Sequence, residues 1–156
     1  MALEQLIRLP LSANWLDRVR DAALEGLRTA PSDLRSAGVL AAVELAENAL
    51  KFGGPLPGGT EANLRVQYGT TELRIISENG ASPERYRRVS EQLRKIAACD
   101  DRQVLYMERL NYLLQATAND GVGLGLIRLV HEGGFALSCT YEEPVLTISA
   151  VRPITD

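Results

Sequence analysis

The sequence predicts a two-layer α/β domain, a sheet covered on one face by helices. Three observations carry this. Leu64, Val66 and Tyr68 alternate with polar neighbours, as do Leu73 and Ile75, which is the two-residue period of half-buried strands. Apolar and small residues dominate at Ala37, Leu40, Ala41, Val43, Leu45 and Ala49, so that segment reads as a centrally packed helix. Turn signals then divide the chain into the order β-α-α-β-β-α-α-α-β-β. At 156 residues, with neither a repeat nor an interdomain linker, residues 1–156 suit one domain with a real core.

Each element has a local reason. Residues 3–9 (LEQLIRL) read as a first strand or an entry segment. Ser12 or Asn14 could cap a helix to about Arg28, with Trp15, Val19, Ala22 or Ala23 and Leu27 as its apolar stripe. Pro31-Ser32-Asp33 opens a second helix to about Lys51, and Phe52 to Thr60, with four glycines and two prolines, ends it in a loop. Strands follow near 61–68 and 71–77, joined by a hairpin turn at Tyr68-Gly69-Thr70-Thr71. Ser82 and Pro83 begin a helix to about Ala98. Further helices are expected over about 101–117 and over Leu124 to His131, and strands near 134–141 and 144–151 close the chain as a hairpin.

Composition excludes several classes. A hydrophobic fraction of 46% with 24% charged residues argues against global disorder. A formal charge of -3, with scattered arginines, supplies no basic field for nucleic acid. Cys99 and Cys139 make neither a disulfide framework nor a metal cluster, and the single His131 gives no histidine-rich zinc site. Met1 to Pro10 already carries Glu4 and Arg8, unlike a signal peptide, and no apolar run reaches membrane-spanning length. The expected setting is soluble, reducing and cytoplasmic, with no membrane association.

Three stretches could carry chemistry. In Val43-Glu44-Leu45-Ala46-Glu47-Asn48-Ala49-Leu50-Lys51, Glu44 and Asn48 stand four apart and share a helix face beside apolar residues. A carboxylate can polarise water and an amide oxygen can coordinate a hard cation, which suits a magnesium-nucleotide site. The alternative is an exposed helix edge with Glu47 and Lys51 as a surface ion pair. Asn79-Gly80, at a strand end, could let backbone approach a ring or phosphate, or be an ordinary turn pair. In NDGVGLGLIRLV, residues 119–130, Gly121, Gly123 and Gly125 alternate with apolar residues. If a helix starts near Leu124, its first amides are free to bind phosphate oxygens; a tight turn is the plainer reading. No Gly-Lys-Ser/Thr follows, so this is not a P-loop, and Gly-x-Gly-x-Gly without an early βαβ unit is not a dinucleotide fingerprint.

The order ELAEN, a strand ending in ENG, a helical insert and then GVGLGL resembles the GHKL superfamily of ATP-binding domains, which includes sensor histidine kinases, DNA gyrase and the anti-sigma-factor serine kinases. The resemblance covers most of the chain. It implies the Bergerat fold, a two-layer α/β sandwich with a mixed, mainly antiparallel sheet and helices on one face. It implies ATP and Mg2+ as ligands, under a lid formed by residues 83–118. By the family pattern Glu44 activates water or a substrate hydroxyl, Asn48 ligates magnesium, Glu78-Asn79-Gly80 approaches adenine, and Gly121, Gly123, Leu124 and Gly125 wrap the phosphates.

The family usually carries Asp-x-Gly-x-Gly at its adenine site; here Glu78 stands at the acidic position and Ser82 at the second glycine. The Lys or His that often follows the Asn box corresponds to Lys51-Phe52. His131 falls after the glycine box, which points away from a sensor histidine kinase. Size and layout resemble the small partner-switching kinases, and most closely the bacterial SiaB-like group. The resemblance therefore implies protein Ser/Thr phosphorylation of a small STAS-type partner, with a homodimer as a further association. The rival expectation is a non-catalytic Bergerat-type module that binds a regulatory partner. An ATP-hydrolysing clamp is less favoured, because no transducer domain accompanies it.

Overall fold

A run of small residues decides how closely helix and sheet approach. In a computed structural model of the chain, residues 3–10, 15–98 and 124–154 are described. The expected helix over 101–117, the caps Ser12 and Asn14, and Gly121 and Gly123 lie outside them. Helix α2 (Ser32–Phe52) buries Leu34, Ala37, Gly38, Ala41, Ala42, Leu45, Ala46 and Ala49, a stripe at three- and four-residue spacing. Five of these eight are alanine and one is glycine, so α2 lies flat and close against strands β2 (Glu61–Tyr68) and β3 (Glu72–Gly80).

Strands β1 (Leu3–Pro10), β2, β3, β4 (Ala136–Glu142) and β5 (Val145–Pro153) form one sheet in the order β1-β2-β3-β5-β4. All four pairings are antiparallel. Helices α1 (Trp15–Gly26), α2, α3 (Pro83–Ala98) and α4 (Leu124–His131) cover one face, giving the expected two-layer α/β architecture. The register sets which side chains share that face. Ile7, Leu64, Ser77 and Ile148 form one row across four strands; Leu9, Ala62, Asn79 and Leu146 form another, with Asn79 and Leu146 paired. Nearly every member is buried and apolar; Ser77 and Asn79 are the two buried polar residues among those described. The opposite face carries Glu4, Arg8, Arg65, Gln67, Arg74 and Glu78, because strand side chains alternate.

The local signals are the expected ones. Ser82 caps α3, its Oγ accepting the Arg85 N–H at 3.1 Å, and Pro83 takes the first helical position, where its missing N–H costs nothing. Val89, Leu93 and Ile96 then face the core. α4 ends where Gly134 turns through a φ of 71° into β4. After α2, the loop folds back on the end of β3. Gly54 and Gly80 exchange backbone hydrogen bonds of 2.8 and 2.9 Å, and the Pro55 carbonyl lies where a Cβ on residue 80 would stand. Gly80 thus admits a neighbouring backbone strand segment.

The asymmetry between the two sheet faces is directly measurable. Leu64→Ala, on the helix-covered face, should lower unfolding free energy by about 2–5 kcal/mol in urea titration. Leu6→Ala, 48% exposed on the other face, should change it by less than about 0.5 kcal/mol. Equal losses would mean the open face is covered in solution.

Candidate functional site

The C-terminal half of α2 leaves the sheet with one polar edge. Glu44 and Asn48 sit there, half-buried, beside the fully covered Leu45 and Ala49. α4 approaches this edge at its first turn. A Cβ on Gly125 would stand 2.5 Å from Glu44 Oε2, so the carboxylate lies directly on the α4 backbone. Only glycine permits that contact without displacing the carboxylate. Arg128 follows Gly125 by three residues, on the same helix face, and its Nη1 lies 3.4 Å from Glu44 Oε1. Arg128 also reaches Glu132, at 3.8 Å.

Glu44 has only 15% of its side chain exposed. Burial raises its pKa from the ordinary value of 4.5; Arg128 opposes the rise, and Glu47 and Glu132 add to it. The carboxylate is therefore a stronger proton acceptor than a surface glutamate. The expected surface pair Glu47–Lys51 does not form; the Lys51 ammonium lies over the Phe52 ring, at 5.8 Å.

One turn further along α2, Asn48 meets α3. Its Oδ1 accepts a long hydrogen bond of 3.4 Å from Arg85 Nη2. The Arg85 guanidinium also lies over the Phe52 ring, 4.4 Å from its centroid. Burial, aided by neighbouring Arg88, lowers the Arg85 pKa to about 10, so the group is still protonated at neutral pH. Beneath the α2 C-terminus lies Asn79, 3% exposed. Its Nδ2 donates to the Gly80 carbonyl at 2.9 Å, and its amide fills the space where a Cβ on Gly53 would stand. Ser77, on the same strand face, is buried, and its Oγ has no hydrogen-bond partner. Beyond β5, Tyr141 stacks on Tyr86 of α3 with ring centroids 4.9 Å apart, and its hydroxyl donates to the Ala81 carbonyl.

The expected site residues therefore divide. Glu44, Asn48, Gly125 and the start of α4 at Leu124 come together, and Asn79 lies below them. Gly121 and Gly123 lie outside the described residues. Glu78 goes elsewhere. It pairs in register with Asn63 and Thr147 on the uncovered face, and its Oε1 is 3.4 Å from Arg65 Nε. One step along a strand reverses the side chain, so it is Asn79 that faces the helices. Gly80 meets the Gly54–Pro55 backbone.

The residues that sequence reading missed are Arg85, Arg128 and Ser77. Arg128 was legible as the third residue after Gly125. Arg85 was not, because its reach to Asn48 depends on how α3 crosses α2. Among the described residues no cluster of three or more His, Cys, Asp or Glu could hold a metal. A cavity of about 330 Å³ lined by Leu3, Thr29, Tyr68, Gly69, Thr70 and Ile154 opens at the opposite end of the sheet, away from Glu44. No described helix is long and apolar enough to cross a membrane. The chain matches no protein-family model and no curated protein at a significant level.

Two tests follow from this geometry. Because folding raises the Glu44 pKa, its stabilising contribution is present below about pH 4.5 and lost as pH rises through the folded value. Glu44→Gln should therefore melt above wild type at pH 7, with the gap closing as the pH falls below 4.5. A gap independent of pH would refute net destabilisation by the buried charge. Gly125→Ala should displace the Glu44 carboxylate and so gain less than the roughly 1 kcal/mol that alanine offers over glycine in a helix, and the full gain should return in a Glu44→Ala background. Additive effects in that double-mutant cycle would show that the two residues do not touch.

Proposed function

We propose that this chain binds ATP along the C-terminal half of α2 and transfers its γ-phosphate to a Ser or Thr hydroxyl of a small STAS-type protein. The observation that carries this reading is the Glu44 carboxylate seated on Gly125 at the first turn of α4. A helix start offers unpaired backbone N–H groups to phosphate oxygens, and here it is adjacent to a proton acceptor. The likeness of ELAEN, ENG and GVGLGL to the GHKL ATP-binding domains supports the same placement.

The residues divide the task by chemistry. The partner hydroxyl attacks the γ-phosphorus; the new O–P bond forms as the bond from phosphorus to the ADP oxygen breaks. Glu44 takes the hydroxyl proton, and its raised pKa favours that role. The first amides of α4 stabilise charge on the transferring oxygens. Asn48 Oδ1 and the Glu44 carboxylate are the hard oxygen donors of α2 at this edge, and Asn48 would be the one to hold a magnesium ion that the phosphates bring. Magnesium, when bound, supplies charge neutralisation between the phosphates. At the base end, Asn79 and the unpartnered Ser77 hydroxyl offer neutral polar groups beneath α2, in place of an acidic residue.

A second reading, a nucleotide- or partner-binding module without transfer, is favoured by two contacts and by the placement of Glu78. Arg128 holds Glu44, Arg85 covers Asn48, and Glu78 turns away from both. Calorimetry with ATP and magnesium, followed by a phosphotransfer assay on candidate STAS proteins, separates the two. Under the kinase reading, Glu44→Gln keeps ATP affinity within about threefold while transfer falls by about 10²–10⁴. Asn48→Asp should alter the magnesium dependence of binding. Loss of binding and transfer together in Glu44→Gln would make Glu44 structural, and saturable ATP binding without transfer to any candidate would leave the module.

A further inference from the structure

The solvent face of α3 carries an excess of cations that the chain itself leaves unanswered. Val89, Leu93 and Ile96 turn into the core, so Glu84, Arg87, Arg88, Glu91, Arg94 and Lys95 fall on the opposite face, and all six are exposed. Four cations stand there against two carboxylates, in a chain whose formal charge is -3. Helical spacing offers every cation an acid, because Glu91 is three or four residues from each of the four. None of the four nevertheless enters an ion pair among the described residues. Like-charge repulsion is felt within the helix, since Arg88 helps to lower the pKa of Arg85. Lys95 lies in the last turn, where the helix dipole favours a cation; Arg87 and Arg88 lie nearer the other end and have no such reason. For solubility these cations work the wrong way, because they draw the net charge of the chain towards zero. A concentration of like charge that is unmet within the chain fits an opposite charge outside it.

We propose that this face of α3 is the docking surface for a protein partner, and that the partner meets it with an acidic surface. The inference rests on the phosphotransfer reading given above for the class of that partner, the protein that brings the acceptor hydroxyl. Position agrees with this. The first turn of α3 borders the candidate site, since Arg85 reaches Asn48 from there. A protein laid along α3 therefore has one edge beside Asn48, one helical turn from Glu44. Charge selects the class. Glu84 and Glu91 stand among the cations. A phosphate backbone or an anionic bilayer presents negative charge alone and repels both, whereas a protein surface can set cations of its own opposite them. A twofold pair of copies closed about α3 would bring like charges together, which disfavours a second copy as the occupant. A mixed face with a basic excess steers an acidic protein into one orientation and rejects partners of the wrong pattern.

The test is calorimetry of the full chain with candidate STAS proteins at low and high salt, and separately with magnesium-ATP. It compares wild type with the paired reversals Arg87→Glu/Arg88→Glu and Arg94→Glu/Lys95→Glu. A control pair on exposed positions of α1, Arg18→Glu/Arg20→Glu, changes the net charge equally, and thermal melts confirm folding. Both α3 pairs should weaken the protein complex by about tenfold or more, and the control by less than about threefold. Wild-type affinity should fall as salt rises. Exchanging acids of the partner for lysine should restore binding to the α3 variants, and ATP affinity should stay within about twofold throughout. Equal weakening by the α1 control would mean a diffuse field, and unchanged binding in the α3 pairs would place the partner elsewhere. Binding of no candidate, or tighter binding of duplex DNA or phosphatidylserine vesicles than of any candidate, would remove the protein-docking role. Each of these overturns the inference and leaves the ATP-binding reading standing. Wild type that docks a STAS protein through α3 but binds no ATP would sustain the docking surface and overturn that reading alone.

Discussion

The architecture depends on how closely α2 can lie on the sheet. Its buried stripe is mostly small, five alanines and Gly38, interrupted by the larger Leu34 and Leu45. Small side chains bring the helix backbone near β2 and β3, and the dispersion and hydrophobic gain of that contact holds the two layers together. A helix so tightly applied has little freedom to rotate. The next positions round its circumference, Glu44 and Asn48, are therefore held at the seam between core and surface, half-buried and unable to turn fully to solvent.

The seam is where α3 and α4 each bring an arginine. Arg128 meets Glu44 and Arg85 meets Asn48, one helical turn apart on α2. Half-buried polar groups need partners, and these two contacts supply them. Neither is tight: both are 3.4 Å, and Glu44 keeps a raised pKa despite its arginine. The seam thus joins two long polar contacts to a carboxylate whose pKa burial raises. Gly125 completes it by allowing the α4 backbone to lie against the carboxylate.

Much of this was readable in advance. The two-residue alternation of Leu64, Val66, Leu73 and Ile75 predicts β2 and β3, and the stripe of α2 matches its burial. Ser82-Pro83 marks the start of α3, and Leu124 to His131 forms α4 as the residue pattern suggests. Glu44 and Asn48 sharing a face followed from helical spacing. The misplacement of Glu78 has a simple cause. Motif position in Glu78-Asn79-Gly80 says which residue is acidic but not which face it takes, and a strand reverses faces at every step. Ser77, which no sequence pattern singled out, is buried with an unpartnered hydroxyl.

By itself, the sequence determined the described elements, their order and the polar edge of α2, because periodicity and capping act over a few residues and need no distant partner. Tertiary structure alone decided which of Glu78 and Asn79 faces the helices, that Gly125 receives the Glu44 carboxylate, and that Arg85 and Arg128 close on α2. Each of those depends on strand register or on the crossing of two helices. Such placements are set by contacts between residues far apart in the chain, and no local pattern carries them.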